Sequence, residues 1–282
     1  MTKSARSAAV SPPAAPFRVA TWNINSVRLR LPLVEKFLTQ EAPDVLCLQE
    51  TKVRDAEFPL AALRKTGYQH IEINGQKGYH GVAVLSRWPI ETIERRGFCD
   101  KGDARHICVR LTDGPAKGVN LHNFYVPAGG DEPDPLLNEK FAHKLAFVDE
   151  MNAWFRDHRV GAEKAVLVGD LNIAPLEHDV WSHRQLLKVV SHTPIEVEKF
   201  TSAFAHHWVD ALRRFAPEDQ KLYTWWSYRA ADWLKADRGR RLDHVFVSPD
   251  LAPQLSAMKV LKEARGWERP SDHAPAIVDL KL

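Results

Sequence analysis

The sequence predicts an α/β fold, in which helices cover a core of β-strands, for a chain of 282 residues. Strand-length runs of apolar residues recur along the chain, and segments with helical spacing of apolar residues separate them. Buried strands that alternate with helices are typical of α/β proteins. Hydrophobic residues make up 44% of the chain, which is enough for a sizeable core. Because no shift in composition marks a boundary, we expect residues 17–282 to form one domain.

Each predicted strand is a short run of mostly apolar residues. The first is Phe17–Trp22, and the second, Asp44–Glu50, is apolar without interruption from Val45 to Leu48. A continuous run of this kind is expected of a strand that is buried on both faces. The other predicted strands are Gly81–Ser86, His106–Leu111, Val119–Val126, Ala165–Asn172, Asp243–Ser248 and Ala276–Leu282.

Two segments between these strands have clear helical periodicity. In Ser26–Gln40 the apolar residues recur at steps of three and four, and Ser26 is the predicted N-cap. Lys140–Arg156 has the same spacing. Glycine, proline and charged residues predict loops at Pro127–Pro135 and Arg238–Arg241.

Composition and charge narrow the class of protein. Residues 1–16 lack a continuous apolar stretch, so we expect a disordered tail and not a signal peptide. The chain contains no run of about 18 apolar residues, the length that would predict a membrane-spanning helix. The 39 Lys and Arg residues nearly balance the 36 Asp and Glu residues, so net charge alone does not identify a nucleic-acid-binding protein. The three cysteines lack metal-ligand spacing, which predicts free thiols in a reducing cytosol.

Polar residues gather where the predicted strands begin or end, which is where ligands bind to open α/β sheets. Each of these residues alone is also explained as a turn or capping residue. Several carboxylates buried near one pocket require a cation, however. Carboxylate and amide oxygens suit a hard divalent ion such as Mg²⁺ better than zinc. The residues are Asn23, Glu50, Tyr125, Asp170, Asn172, Asp243, Asp272 and His273.

Seven ordered motifs resemble the exonuclease III/AP endonuclease branch of the endonuclease/exonuclease/phosphatase superfamily. The resemblance implies a four-layer α/β sandwich, with two facing β-sheets flanked by helices. It also implies hydrolysis of the phosphodiester 5′ to abasic sites in double-stranded DNA, with 3′→5′ exonuclease and 3′-phosphatase activity. The motifs are TWNINSVR (Thr21–Arg28), LQETK (Leu48–Lys52), NFYVPAG (Asn123–Gly129), GDLNIAP (Gly169–Pro175), TWWSYR (Thr224–Arg229), RRLDHVFVS (Arg240–Ser248) and PSDHAP (Pro270–Pro275).

The resemblance further implies a role for each polar residue. Glu50 is expected to be the main ligand of Mg²⁺, with Mn²⁺ as the alternative ion, and Asp170 is expected to orient or deprotonate the attacking water. His273, paired with Asp243, is expected to contact the scissile phosphate. Tyr125 is expected to lie against that phosphate or the leaving oxygen, and Asn172 to hold a phosphate oxygen or Asp170. The further expected metal ligands are Asn23, Asp272, Asp170, Asn172 and His273.

The TWWSYR loop and the basic residues near it predict the contacts with DNA. We expect Trp225 and Trp226 to contact DNA, one packing on the sugar of a flipped abasic nucleotide and the other flanking it or wedging the duplex. The alternative is that one of the two is a core residue, since adjacent residues of a strand face opposite ways. The predicted partner is double-stranded DNA with abasic sites or 3′-blocked ends. We expect a monomer. The expected location is a bacterial-type cytoplasm, with association with the nucleoid during repair. The expected phosphate contacts are Arg229, Arg105, Lys52, Arg240 and Arg241.

Two rival functions and the number of metal ions stay open at this point. A phosphatase of the same superfamily, acting on a soluble or lipid phosphate, would use nearly the same site. A binding module that keeps the fold without activity would normally have lost one of Glu50, Asp170, Asp243 or His273, and the chain retains all four. One ion and two ions are both compatible with the motifs.

Overall fold

Two six-stranded β-sheets lie face to face in the computed structural model, which describes residues 15–158, 160, 162–205 and 207–282. From edge to edge, the first sheet contains Leu255–Val260 (β13), Ala276–Leu280 (β14), Phe17–Asn23 (β1), Val45–Gln49 (β2), Val82–Ser86 (β4) and His70–Asn74 (β3). The second contains Ile90–Glu94 (β5), His106–Leu111 (β6), Asn120–Tyr125 (β7), Ala165–Asp170 (β8), Asp243–Val247 (β12) and Val209–Asp210 (β9). Two short strands, Trp225–Trp226 (β10) and Gly239–Arg240 (β11), pair separately.

Helices cover the outer face of each sheet. Successive side chains of a strand point to opposite faces. On β1, Val19 packs between the sheets, whereas Ala20 and Trp22 pack outward against helix residues Val34 and Phe37. The second sheet packs outward against Phe147, Trp154, Phe200 and other apolar side chains of two helices. This arrangement confirms the predicted four-layer sandwich. The helices are Leu31–Gln40 (α1), Leu60–Lys65 (α2), Glu139–Asp157 (α3), His183–Leu186 (α4), Pro194–Phe204 (α5) and Trp233–Ala236 (α6).

The predicted strands are confirmed to within about two residues at each end, and α3 confirms the helix predicted at Lys140–Arg156. The predicted N-cap Ser26 is wrong, because α1 begins at Leu31 and Ser26 has φ 88°. Pro32 lies in the first turn, where a missing backbone N–H costs no helical hydrogen bond, so it sets the helix start. The loop predicted at Arg238–Arg241 contains β11.

Strand directions bring the polar ends of many strands together. β1 runs parallel to β2, and β7 runs parallel to β8, so the carboxyl ends of each pair lie at the same edge. β12 is antiparallel to β8 and begins beside its end, with Asp243 opposite Asp170. β14 is antiparallel to β1 and begins opposite Thr21. The fold therefore assembles the predicted polar residues at one end of the sandwich.

Two sequence predictions concern other regions. The predicted tail, residues 1–16, lies outside the described residues except for Ala15 and Pro16, which are exposed. Among the residues that the structure describes, no helix has both the length and the apolar character that crossing a bilayer would require.

Candidate active site

Asn23 joins an acid of the first sheet to an acid of the second. Its Nδ2 donates to Glu50 Oε1 at 3.0 Å and to Asp170 Oδ2 at 2.7 Å. Its Oδ1 accepts the backbone N–H of Asn25 at 3.0 Å, which fixes the amide plane. Asn23 thus orients both carboxylates through its NH₂ group, and its oxygen, predicted as a metal ligand, is engaged by the backbone.

The local backbone sets the positions of Asp170 and Asn172. A Cβ on Gly169 would lie 1.9 Å from the carbonyl oxygen of Phe124, so only glycine lets β8 end so close to β7. Asn172 has φ 55°, and its backbone N–H donates to Asp170 Oδ1 at 3.1 Å. Its Nδ2 donates to the carbonyl of Val126 at 2.9 Å. Asn172 therefore holds Asp170 in place, which is one of the two roles predicted for it.

Glu50 accepts from several donors just after the end of β2. Tyr125 Oη donates to Glu50 Oε1 at 2.9 Å, and Lys52 Nζ lies 2.7 Å from Glu50 Oε2. Burial alone would raise the pKa of Glu50, but the charge of Lys52 and the hydrogen bond from Asn23 lower it overall. Burial raises the pKa of Tyr125 well above its usual value, so the phenol stays a hydrogen-bond donor. Glu50 is thus an ionised carboxylate at neutral pH.

His273 lies between two buried aspartates. Its Nδ1 is 2.8 Å from Asp243 Oδ2, and its Nε2 is 3.7 Å from Asp170 Oδ2. Burial alone would lower the pKa of His273, but the negative charges of Asp243 and Asp170 outweigh it and raise the pKa to about 10. The imidazole therefore carries a proton on each nitrogen at neutral pH and can donate from Nε2.

Asp170 is suited to accept a proton near neutral pH. Burial raises its pKa to about 7, although the charge of His273 acts in the opposite direction. The ligand atoms of Asp170, Asp243 and His273 lie within 4.8 Å of one another, a spacing that a metal ion could also bridge. A doubly protonated imidazole offers no lone pair to a metal, however. In the geometry described, His273 therefore donates a hydrogen bond to Asp243 and forms an ion pair with Asp170, and it is not a metal ligand.

Asp272 lies beside the same cavity and accepts two hydrogen bonds. Trp225 Nε1 donates to Asp272 Oδ2 at 2.9 Å, and Asn25 Nδ2 donates to Asp272 Oδ1 at 3.2 Å. Burial would raise the pKa of Asp272, but the charge of His273 and these hydrogen bonds lower it overall. Asp272 is therefore a second ionised acid near Glu50.

Oxygen ligands that fit a hard cation converge between Glu50 and Asp272. The Lys52 ammonium lies 2.7 Å from Glu50 Oε2 and 2.6 Å from Asn25 Oδ1. Asn25 in turn is hydrogen-bonded to Asp272. The ammonium thus marks a place where a positive ion is stabilised by carboxylate and amide oxygens, the ligands that Mg²⁺ and Ca²⁺ prefer. Glu50, Asp272 and Asn25 would hold such an ion.

Three of the predicted DNA contacts are wrong because the side chains are buried. Trp226 is 2% exposed and packs with Tyr223 and Ala274, so it is the core residue of the tryptophan pair. Arg241 is fully buried and pairs with Asp179 and Asp210.

Arg105 is 6% exposed, with Nε 2.9 Å from Asp103 Oδ2 and its guanidinium 4.9 Å from the ring centre of Tyr125. Arg105 and Arg241 therefore support the fold and the site from within.

The other predicted DNA contacts lie in or beside one open cavity of about 610 Å³ that also contains the acidic cluster. Trp225 and Arg240 line it next to Asp272 and His273, and Arg229 lies at its exposed side. Lys52 reaches the site through Glu50. Three further lining residues, Trp181, Trp233 and Arg238, are not among the predicted contacts.

Of these three residues, only Arg238 could have been found from the sequence, because it belongs to the basic run Arg238–Arg241. Its guanidinium lies 4.7 Å from the ring centre of Trp181.

Comparison with known proteins places this site in a family. The model of the Endonuclease/Exonuclease/phosphatase family matches residues 20–273. The chain belongs to this family. Exodeoxyribonuclease III of Haemophilus influenzae is 29% identical over 269 residues, which cover 93% of this chain and 98% of that protein.

Two solved structures of the family share the fold closely. An AP endonuclease from Archaeoglobus fulgidus is 30% identical, with a TM-score of 0.86, and the match covers 94% of this chain and all of that one. The 3′ phosphatase NExo from Neisseria, bound to a product DNA hairpin, is 33% identical, with a TM-score of 0.83. That match covers 94% of this chain and 99% of NExo. The family members that resemble this chain include enzymes named for action on abasic sites and on DNA 3′ ends.

Proposed function

We propose that this protein is a Mg²⁺-dependent DNA repair nuclease that hydrolyses the phosphodiester 5′ to abasic sites in double-stranded DNA. One observation carries the proposal: a proton-accepting aspartate, a protonated histidine and an ionised Glu50 line the same open cavity as Trp225 and several arginines. The chemical groups suit phosphodiester hydrolysis, and the tryptophan and arginine wall suits a nucleic-acid strand. The names of the similar proteins support the same reading.

The residues of the chain divide the work of hydrolysis among them. Asp170 accepts a proton from the attacking water, for which a pKa near 7 is well matched. The Nε2–H of His273 stabilises charge on a non-bridging phosphate oxygen, and Asp243 fixes the orientation of its ring. Tyr125 keeps Glu50 in position. A Mg²⁺ ion held at Glu50 would supply a Lewis acid for the phosphate and the leaving oxygen.

We propose that the same site also trims 3′ ends, as a 3′→5′ exonuclease and 3′-phosphatase. The scissile phosphate binds in the same place in each reaction, and only the group attached to it differs. Relatives named as a 3′ phosphatase and a 3′-5′ exonuclease support this extension. A phosphatase for small soluble substrates is less well supported, because the wall of tryptophans and arginines would have no partner.

The deciding experiment uses a duplex with one abasic-site analogue and a labelled strand, incubated with Mg²⁺ or with EDTA. We expect incision 5′ to the analogue with Mg²⁺ and none with EDTA. D170N should lower the rate at least about a hundredfold. D157N, which removes an acid at the exposed end of α3, should keep the full rate. Rapid hydrolysis of a small phosphomonoester without incision would favour the phosphatase. Sedimentation of the same sample tests the proposed monomer.

A further inference from the structure

Arg240 on β11 is a cation held in the cavity wall without an acidic partner. Its Nη1 donates to the carbonyl of Val190 at 2.9 Å and to Ser191 Oγ at 2.8 Å. Its guanidinium lies 5.2 Å from the ring centre of Trp225. Its Nε is buried and has no hydrogen-bond partner among the described residues, and no described carboxylate lies within the 4.0 Å of an ion pair. The side chain is thus fixed in position through Nη1, while its charge has no ion-pair partner and Nη2 donates to no described residue.

The neighbouring arginine shows how different this environment is. Arg241 is fully buried and pairs with Asp179 and Asp210, which raise its pKa against the effect of burial. Burial lowers the pKa of Arg240, and the only acid that offsets this is Glu196. Glu196 is already paired with Lys144 at 2.5 Å. A part-buried guanidinium without an ion pair is costly unless a ligand supplies the anion.

The position of Arg240 indicates which part of a substrate would supply that anion. The Trp225 ring contacts both Arg240 and Asp272, since Arg240 packs over the ring face and Trp225 Nε1 donates to Asp272. Asp272 precedes His273, which also forms a backbone bridge with Trp225. Arg240 is therefore beside the site for the scissile phosphate and not within it. Its ligand would be a second group next to that phosphate.

We propose that Arg240 binds a second anionic oxygen group, a phosphate or a carboxylate, on the side of the substrate that departs with the scissile phosphate. Two sources share this chemistry. In a continuous strand it is the next phosphate, 3′ to the abasic sugar, and at a blocked 3′ end it is a terminal acid such as the carboxylate of a phosphoglycolate. A planar guanidinium with free N–H groups matches either one. This assignment rests on the proposed nuclease function.

The test compares substrates that differ only in the second anion. One pair is a duplex with an internal tetrahydrofuran abasic site and a duplex whose strand ends at that tetrahydrofuran with a 3′-hydroxyl. The other pair carries a 3′-phosphoglycolate or the neutral 3′-hydroxyethyl phosphate. Wild type, R240Q and R240K are measured as kcat/KM in Mg²⁺, with thermal unfolding as a check of folding. R156Q is the matched control, because it also removes one arginine charge. Arg156 lies at the exposed end of α3, about 18 Å along the helix from Lys144, the α3 residue that pairs with Glu196.

We expect R240Q to lose about 10- to 100-fold in kcat/KM on the substrates with a second anion and less than about threefold on their neutral partners, as loss of a charge-assisted hydrogen bond would give. R240K should recover part of the loss. A loss confined to the internal site identifies the strand phosphate, and a loss confined to phosphoglycolate identifies the blocked end. An equal loss on all four substrates, or none, overturns the assignment. If wild type cleaves none of them, the proposed nuclease function itself fails.

Discussion

A buried ion pair behind the active site offers a sharp test of how the fold supports the site. Lys144 on α3 is fully buried, and its Nζ lies 2.5 Å from Glu196 Oε1, 2.7 Å from the carbonyl of Asn172 and 3.2 Å from that of Ala128. Burial lowers the pKa of Lys144, and the charge of Glu196 opposes that shift. This single ammonium therefore ties α3 and α5 to the segment that follows β8, directly after Asp170.

K144M should lower the free energy of unfolding by about 3 kcal/mol. Removing one partner of a buried pair usually costs about 3–5 kcal/mol, because the other charge is left uncompensated. We expect the lower end, since Glu196 keeps donors from the backbone of Ser191 and from the backbone and hydroxyl of Thr193. For a chain of this size the midpoint of thermal unfolding should fall by about 6–12 °C.

The assay is urea unfolding of four proteins: wild type, K144M, E196Q and the double variant. We expect the two losses to be non-additive, with a coupling energy of about 2 kcal/mol, because either substitution breaks the same pair. K199M is the control. Lys199 on α5 pairs with the exposed Asp149 on α3, so this pair joins the same two helices. Solvent-exposed ion pairs contribute less than about 1 kcal/mol to stability. Equal losses for K144M and K199M, or strictly additive losses at Lys144 and Glu196, would refute the reasoning.

Three further predictions follow from the site and its surroundings. W226A should destabilise the fold by about 3–5 kcal/mol in urea, because it empties a buried space. W225A should leave stability nearly intact but lower abasic-site incision about tenfold in a gel assay, and the opposite pattern would reverse their roles. D243N should reduce incision about a hundredfold with an unchanged KM, because His273 loses the carboxylate that orients it, and near-normal turnover would refute that role. Finally, burial holds the pKa of His244 at about 3 and of His122 at about 4, so between about pH 4 and pH 6.5 it is mainly the unfolded chain that binds protons on these residues. The contribution of each histidine to stability should therefore fall by about 2 kcal/mol as pH drops from 7.5 to 5. The raised pKa values of Asp170 and His273 act in the opposite direction, so the test compares wild type with H244Q, and the change in stability over this interval should be about 2 kcal/mol less favourable for wild type. Equal changes in the two proteins would contradict the assignment.

The sequence predicted the buried strands and the cluster of polar residues at their ends well, because both leave strong local signals. Continuous apolar runs identify strands such as Val45–Gln49, which are covered on both faces. The edge strands His70–Asn74 and Leu255–Val260 were missed because half-buried residues interrupt the apolar pattern. Motifs around Glu50, Asp170 and His273 named residues that the fold then brings together.

The sequence could not separate supporting residues from contacting residues within one motif. Trp225 and Trp226 are adjacent, as are Arg240 and Arg241, yet one side chain of each pair is part-exposed and the other is buried. The alternation of a strand predicts that neighbours differ, but which one points outward depends on what packs behind them. For Arg241 the deciding residues are Asp179 and Asp210, which are distant in sequence and joined to it only by the fold.

The first sheet also determines when the nuclease can begin to act. β1 lies between β2 and β14, and the side chains of Arg18 and Asp279 that join across this seam are 261 positions apart. Contacts of such long range form late, because closing a large loop costs entropy before any contact repays it. During synthesis, Asn23 and Glu50 leave the ribosome long before His273. A growing chain therefore lacks the complete polar cluster, and with it the proposed hydrolytic activity, until β14 is available to close the sheet.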